Sequence, residues 1–183
     1  LGSPGRLGPV VQRLPIDLLD IETDDGDYTA VAHVLIRRGW RRGRVVAVCN
    51  ADHLGTWNVA PRAHPGDGRL DVVDVSAALP LRARWEASRR LPTGTHLPHP
   101  LIRSFTATSW TWEDPDGAQI RVDGLDIGRR RRIVIRIRPD EAMVPIRTCQ
   151  IVDEAIQIHG GTGVSQWTPL ARMYASQRTL RLA

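Results

Sequence analysis

Up to about residue 140, apolar and polar positions alternate with the two-residue period of strands, in short runs separated by Gly, Pro and Asp. Residues 10–21 alternate but contain Pro15, the mark of a weak or edge strand. Asp24-Asp25-Gly26-Asp27 reads as a turn. Residues 28–37 predict one strand, with Val31, His33 and Leu35 on one side and Ala32, Val34 and Ile36 on the other. Both sides are largely apolar, so this strand should be buried on both. Residues 44–50 and 70–75 predict two more apolar strands. Residues 79–90 switch to helical spacing, with Leu81, Trp85 and Ser88 sharing a face and Arg82, Arg84, Arg89 and Arg90 on a solvated side. Residues 102–112 predict an alternating strand and 113–117 a hairpin turn. Residues 119–122 and 131–138 predict a strand pair around Asp123-Gly124, the last strand having Ile133, Ile135 and Ile137 on one face and Val134, Arg136 and Arg138 on the other.

Near Pro139 the period changes. Met143, Ile146, Cys149 and Ile156 fall close to i, i+3, i+4 spacing, and Gly160-Gly161-Thr162-Gly163 then breaks the run. Ser165 or Thr168 can cap a second helix that opens at Pro169. The pattern predicts an α+β chain. A mainly antiparallel β-sandwich over residues 9–141 is followed by a C-terminal helical hairpin over 142–183.

Charge narrows the function classes. All 25 basic residues are arginine, and 20 acidic residues interleaved with them leave a net charge of only +5. No nucleic-acid motif accompanies that excess, so no nucleic-acid partner is expected. No stretch has the length of a membrane span and no signal-peptide core is present, so the chain reads as cytoplasmic without a transmembrane segment. Cys49 and Cys149 lie far apart in apolar contexts, as buried free thiols do in a reducing compartment. His53, His64, His96 and His99 lack carboxylates or thiols at metal-ligand spacing and read as hydrogen-bonded turn or core residues.

Two segments carry candidate chemistry. The first, from Asn58 to Asp71, is dense in turn formers and carboxylates. An Asp before a Gly in a tight loop either caps its own backbone or holds a hard cation with neighbouring carbonyls, and the residues leave both readings open. Ala60, Pro61, Ala63, Asp67, Gly68, Leu70, Asp71 and Val72 match an A-P-x-A-x-x-D-G-x-L-D-V pattern. In this the chain resembles the C-terminal domain of diacylglycerol kinase-like lipid kinases, more loosely over residues 14–141. The segment from Val48 to Gly55, Gly94-Thr95-His96 and Val122-Asp123-Gly124 fall in the family's order. The resemblance implies a β-sandwich that partners a nucleotide-binding domain in ATP-dependent lipid phosphorylation. It also implies a structural Mg²⁺ at the Asp67 carboxylate, helped by the carbonyls of His64 and Arg69. The family's phosphate loop is absent, Leu125 stands where its catalytic Glu is expected, and Asp126 lies one residue later. A phosphoryl transferase needs both a phosphate cradle and a group that orients the nucleophile, so no catalytic residue is assigned.

The second segment runs from Ala155 to Ser165, and on through Thr168 to Tyr174 and Arg178 to Ala183. It resembles the C-terminal helical domain of acyl-CoA dehydrogenases. Glycines admit a cofactor to the backbone, and amides at a helix start favour phosphate oxygens. The resemblance implies FAD contacts at Gln157, His159, Gly160, Gly161 and Gly163, completed by a fuller dehydrogenase subunit. The family's catalytic carboxylate would follow the Arg-Thr-Leu-Arg-Leu-Ala run, beyond Ala183. The leading expectation is thus a lipid-kinase-like C-terminal domain. The alternatives are an acyl-CoA dehydrogenase fragment acting in flavin-dependent oxidation, or a non-catalytic module that forms homo-oligomers through the hairpin's apolar face.

Overall fold

The computed structural model describes residues 13–39 and 42–145. The chain divides into two compact units, one of Ile16–Glu141 and one of Leu1–Pro15 with Ala142–Ala183. The fold that follows is that of the first.

Strands β1 (Arg13–Thr23) and β2 (Gly26–Ala30) form a hairpin, and β3 (His33–Arg37) pairs with β4 (Val45–Cys49). A short hairpin of β5 (His53–Leu54) and β6 (Trp57–Asn58) follows, then β7 (Leu70–Val75), helix α1 (Leu81–Arg90) and a single 3-10 turn. Strands β8 (Ile102–Ala107), β9 (Ser109–Val122) and β10 (Leu125–Pro145) complete the described chain. Eight strands make one sheet in the order β2-β1-β10-β9-β3-β4-β7-β8, and β5-β6 stands apart. Every pairing with a described register is antiparallel. No helix among the described residues is long and apolar enough to cross a membrane.

Alternation sorts the side chains into two layers. Leu19 and Ile21 of β1, Val34 and Ile36 of β3, Val46 and Val48 of β4, Ile120 of β9 and Ile133 and Ile135 of β10 share one core. Strands from both ends of the sheet order reach that interior, so the sheet curls over itself in the manner of a sandwich. The other side of β4, Ala47 and Cys49, joins Val73, Leu79 and Ile102 in a second cluster against which Ala83 and Ala87 of α1 pack. Strand β4 is therefore buried on both faces, as its unbroken apolar run requires. The Cys49 thiol is free and buried, and burial pushes its pKa far up. On the outer side, Arg132 and Arg136 of β10 both reach Glu22 of β1 at 3.2 and 3.1 Å, so part of the basic face lies against carboxylates.

Several expectations give way to longer-range effects. Strand β1 is not an edge strand but lies between β2 and β10. Pro15 sits near its start, where the Asp17 N–H is already diverted to the Pro65 carbonyl at 2.8 Å. The single strand expected over 28–37 is two, β2 and β3, parted at Val31-Ala32. The strand expected over 102–112 also breaks, at Thr108, and the break shifts the alternation by one. Phe105, Ala107, Trp110 and Trp112 consequently all pack on the same core, rather than on opposite faces. Residues 113–117 are not a hairpin turn. They bulge from within β9, between the Glu113–Arg132 and Ala118–Arg130 partners, where Arg38 pairs with Asp114 and Asp116. Strand β10 runs to Pro145, so residues 142–145 are extended and do not open a helix; Val144 precedes a proline, which disfavours helical backbone there. The rest of the expected helical hairpin lies outside the described residues.

Candidate functional site

The Asp67 loop is built around a buried carboxylate from β1. Asp17 is fully buried; its Oδ2 accepts the Gly68 N–H at 2.7 Å and its Oδ1 the Asp140 N–H at 2.9 Å. Gly68 takes φ +68°, a conformation costly for any other residue, directly after Asp67. Asp67 Oδ1 accepts the Arg69 N–H at 2.9 Å, closing an Asx turn. The backbone-capping role is thus filled. Asp71, on β7, is buried with its Oδ2 unpartnered. Burial and then the nearby Asp67 charge push its carboxyl up to about 6, against the pull of Arg62. His64 Nε2 is likewise buried without a partner, while the Arg69 side chain reaches towards Thr106 at 3.4 Å. Two neighbouring carboxylates, one with an orphaned buried oxygen, are the hard oxygen chemistry that a cation such as Mg²⁺ takes. Among the described residues no group of three or more His, Cys, Asp or Glu is placed to hold a metal ion. Asp71 is the residue the sequence reading left without a role; its signal was a carboxylate inside the buried strand Leu70–Val75.

The second element of the site is an apolar cavity of about 560 Å³ on the outer face of the sheet. Its floor is Leu35, Ala47, Val73 and Val75 of β3, β4 and β7, one wall is Leu54 and Trp57 of the short hairpin, and α1 lies along the other. His96 and Arg84 are among the few polar groups in the lining. His96 Nε2 meets the Val59 carbonyl at 3.1 Å, and burial holds its pKa below the usual histidine value. Arg84 donates to the carbonyls of Leu79, Gly43 and Ser76 at 3.0, 2.5 and 2.9 Å, so it is not on the solvated side of the helix. The helix buries no residue fully: Ala83 and Ala87 face the sheet, and Leu81 and Trp85 form a rim. Small side chains where helix and sheet face each other, Ala47 and Ala87 among them, leave the space open.

At the β9–β10 turn, Asp123 at φ +45° takes up the Val31, Ala32 and His33 N–H groups at 2.7, 3.0 and 2.8 Å. It bridges the break between β2 and β3. His33 is buried and its pKa is lowered by that burial, against the opposing pull of Asp123. Leu125 is 65% exposed and offers no proton acceptor. Asp126 accepts the Gly128 N–H at 2.9 Å and a Gln119 N–H, which hold its carboxyl below the usual range and make it a weak base. Gln157, His159, Gly160, Gly161 and Gly163 lie outside the described residues.

The described chain is thus a curled antiparallel sandwich with an apolar cavity on its outer face and an acidic loop beside it. The model of the YegS C-terminal NAD kinase beta sandwich-like domain matches residues 28–145, and the chain belongs to that family. A diacylglycerol kinase from Bacillus anthracis str. Sterne superposes with a TM-score of 0.52 at 14% identity, over 72% of this chain and 52% of that one. A second solved structure from the same organism gives 0.56 at 13% identity, over 72% and 55%. At such identity these likenesses speak for the fold. Acyl-CoA dehydrogenase family member 11 of Rattus norvegicus is 48% identical over 62 residues, 34% of this chain but 8% of that protein. The Homo sapiens protein of that name is 62% identical over 39 residues, 21% and 5%. The chain thus spans about half the length of the kinases and a small part of the dehydrogenases it matches.

Proposed function

We propose that this chain is the lipid-handling domain of a diacylglycerol kinase-like protein, acting with a nucleotide-binding domain that supplies the phosphate cradle. The observation that carries this reading is the cavity of about 560 Å³ between the sheet and α1, large enough for a stretch of acyl chain and lined almost throughout by apolar side chains. In this reading the tail lies on Ala47, Val73 and Val75 beneath the helix, and the acceptor hydroxyl is left at the mouth for phosphoryl transfer. Binding of a fluorescent diacylglycerol in detergent solution tests it. Ala87→Trp places an indole in the cavity; displacing two methylenes, at about 0.8 kcal/mol each, should weaken binding about tenfold. Unchanged affinity in that variant, or no binding by the native chain, would remove the cavity from the lipid site.

A Mg²⁺ fits the Asp67 loop in the same reading. The Asp67 carboxylate and the His64 and Arg69 carbonyls would hold it, with Asp71 behind them, and its chemistry would be structural: it offsets two adjacent negative charges and fixes the loop against β1. At ten times its Kd the ion should stabilise the chain by about 1.4 kcal/mol, read as a rise in melting temperature that EDTA reverses. Asp67→Asn should abolish the rise. A melting temperature indifferent to Mg²⁺ and EDTA would mean that the loop is held by its hydrogen bonds alone.

A further inference from the structure

We propose that α1 is a docking surface for an anionic lipid bilayer, lying flat in the headgroup layer with Leu81 and Trp85 inserted. The helix shows its partner by what it leaves uncovered. Leu81 and Trp85, one turn apart, are 51% and 60% exposed, and they are among the few large apolar side chains so exposed in the described residues. The Arg89 guanidinium lies 4.9 Å over the Trp85 ring, which places a cation beside the apolar pair. The helix carries four arginines and one glutamate. That glutamate, Glu86, pairs with Arg82 at 3.4 Å, and among the described residues neither Arg89 nor Arg90 has an acidic partner. Trp and Leu beside uncompensated arginine is the composition of an interfacial helix, and the charge selects a surface bearing phosphate anions.

The cavity strengthens the choice. Leu81, Trp85 and Ser88 belong at once to the exposed helix surface and to the cavity lining. An acyl chain leaving a bilayer at this rim would meet apolar side chains from headgroup level to the cavity floor and would not have to cross water. The inference rests on the lipid reading of the cavity for its choice of a bilayer over a protein partner. It adds a surface at the rim of the cavity that brings the domain to its substrate.

Flotation of the full chain with phosphatidylcholine vesicles, with and without phosphatidylglycerol, tests the proposal. The chain should float with the anionic vesicles and much less with the neutral ones. Arg89→Glu with Arg90→Glu should lower that binding at least tenfold, since each arginine near an anionic surface is worth about fivefold. The same double variant should still take up fluorescent diacylglycerol in detergent solution, because neither side chain lines the cavity. Leu81→Ala with Trp85→Ala should also lose the vesicles while keeping the native melting temperature. Brominated acyl chains should quench the fluorescence of the native chain more than that of Trp85→Phe. Native flotation by either double variant overturns the docking surface, as does failure of the native chain to float. So does a dimer in sedimentation that Leu81→Ala with Trp85→Ala dissolves without vesicle binding. Loss of diacylglycerol uptake in detergent alongside intact vesicle docking would instead discard the cavity reading and leave the surface standing.

Discussion

Replacing Asp17 with alanine is expected to destabilise the domain by about 3 kcal/mol, the largest loss from any single polar substitution described above. The carboxylate is fully buried and holds two chain segments far apart in sequence, through the Gly68 and Asp140 N–H groups. Alanine leaves both part-buried donors without their acceptor, and an unsatisfied group costs up to about 1–3 kcal/mol when buried. In a domain of this size the change should appear as a fall of roughly 10 °C in melting temperature. Asp17→Asn separates charge from acceptor count. It retains one oxygen and turns an NH₂ towards the other donor, so an intermediate loss is expected. Alanine melting within about 1 kcal/mol of the native chain would show that water satisfies these donors. Because the Gly68 bond sets the loop that presents Asp67, the alanine variant should also lose the response to Mg²⁺.

The second large effect is expected at Asp123. Its carboxylate takes three successive N–H groups, 90 to 92 residues away in sequence, from a residue at positive φ. Asp123→Ala removes all three acceptors and places a residue that disfavours left-handed backbone at the turn; a loss of about 2–3 kcal/mol follows, tempered because part of the site is open to water. Asp123→Gly removes the acceptors but not the tolerance for positive φ. Chemical denaturation should therefore rank the native chain above Asn, Asn above Gly, and Gly above Ala. If glycine equals the native residue, the turn matters only for its backbone and the cap contributes nothing.

How far the sequence disclosed these features depends on the range of the interactions that create them. Strands with an apolar face, such as Val45–Cys49 and Leu70–Val75, are legible because burial writes a period into the chain itself. Helix α1 is legible for the same reason, although its Leu81–Trp85 stripe proves to be a rim and not a buried face. The break at Val31-Ala32 leaves no local mark, since the group that bridges it is Asp123. Residues 113–117 carry true turn chemistry in Asp-Pro-Asp-Gly, but turn residues serve a bulge as well as a hairpin, and only the partner strand decides which. The Asx turn at Asp67 is one of two readings that an Asp before a Gly in a turn-rich stretch allows. The role of Asp17 is not legible, because nothing in the strand around it announces a partner some fifty residues away. The cavity is the least legible feature, because it consists of volume that Ala47 and Ala87 do not fill.

The place of β10 in the sheet order has a consequence for how the domain is made. It lies third from one edge, between β1 and β9, although it is the last strand of the domain to leave the ribosome. Until it arrives, β1 and β2 are a hairpin separated from the other five strands, and Leu19 and Ile21 have only Ala30 and Tyr28 of β2 beside them in the sheet. Two-stranded hairpins are not stable alone in water, and pairings between distant segments form slowly. The nascent domain therefore exposes strand edges on both sides of one gap for most of its synthesis. Completion of a single strand joins the two pieces, so folding should await that strand and then proceed as one event.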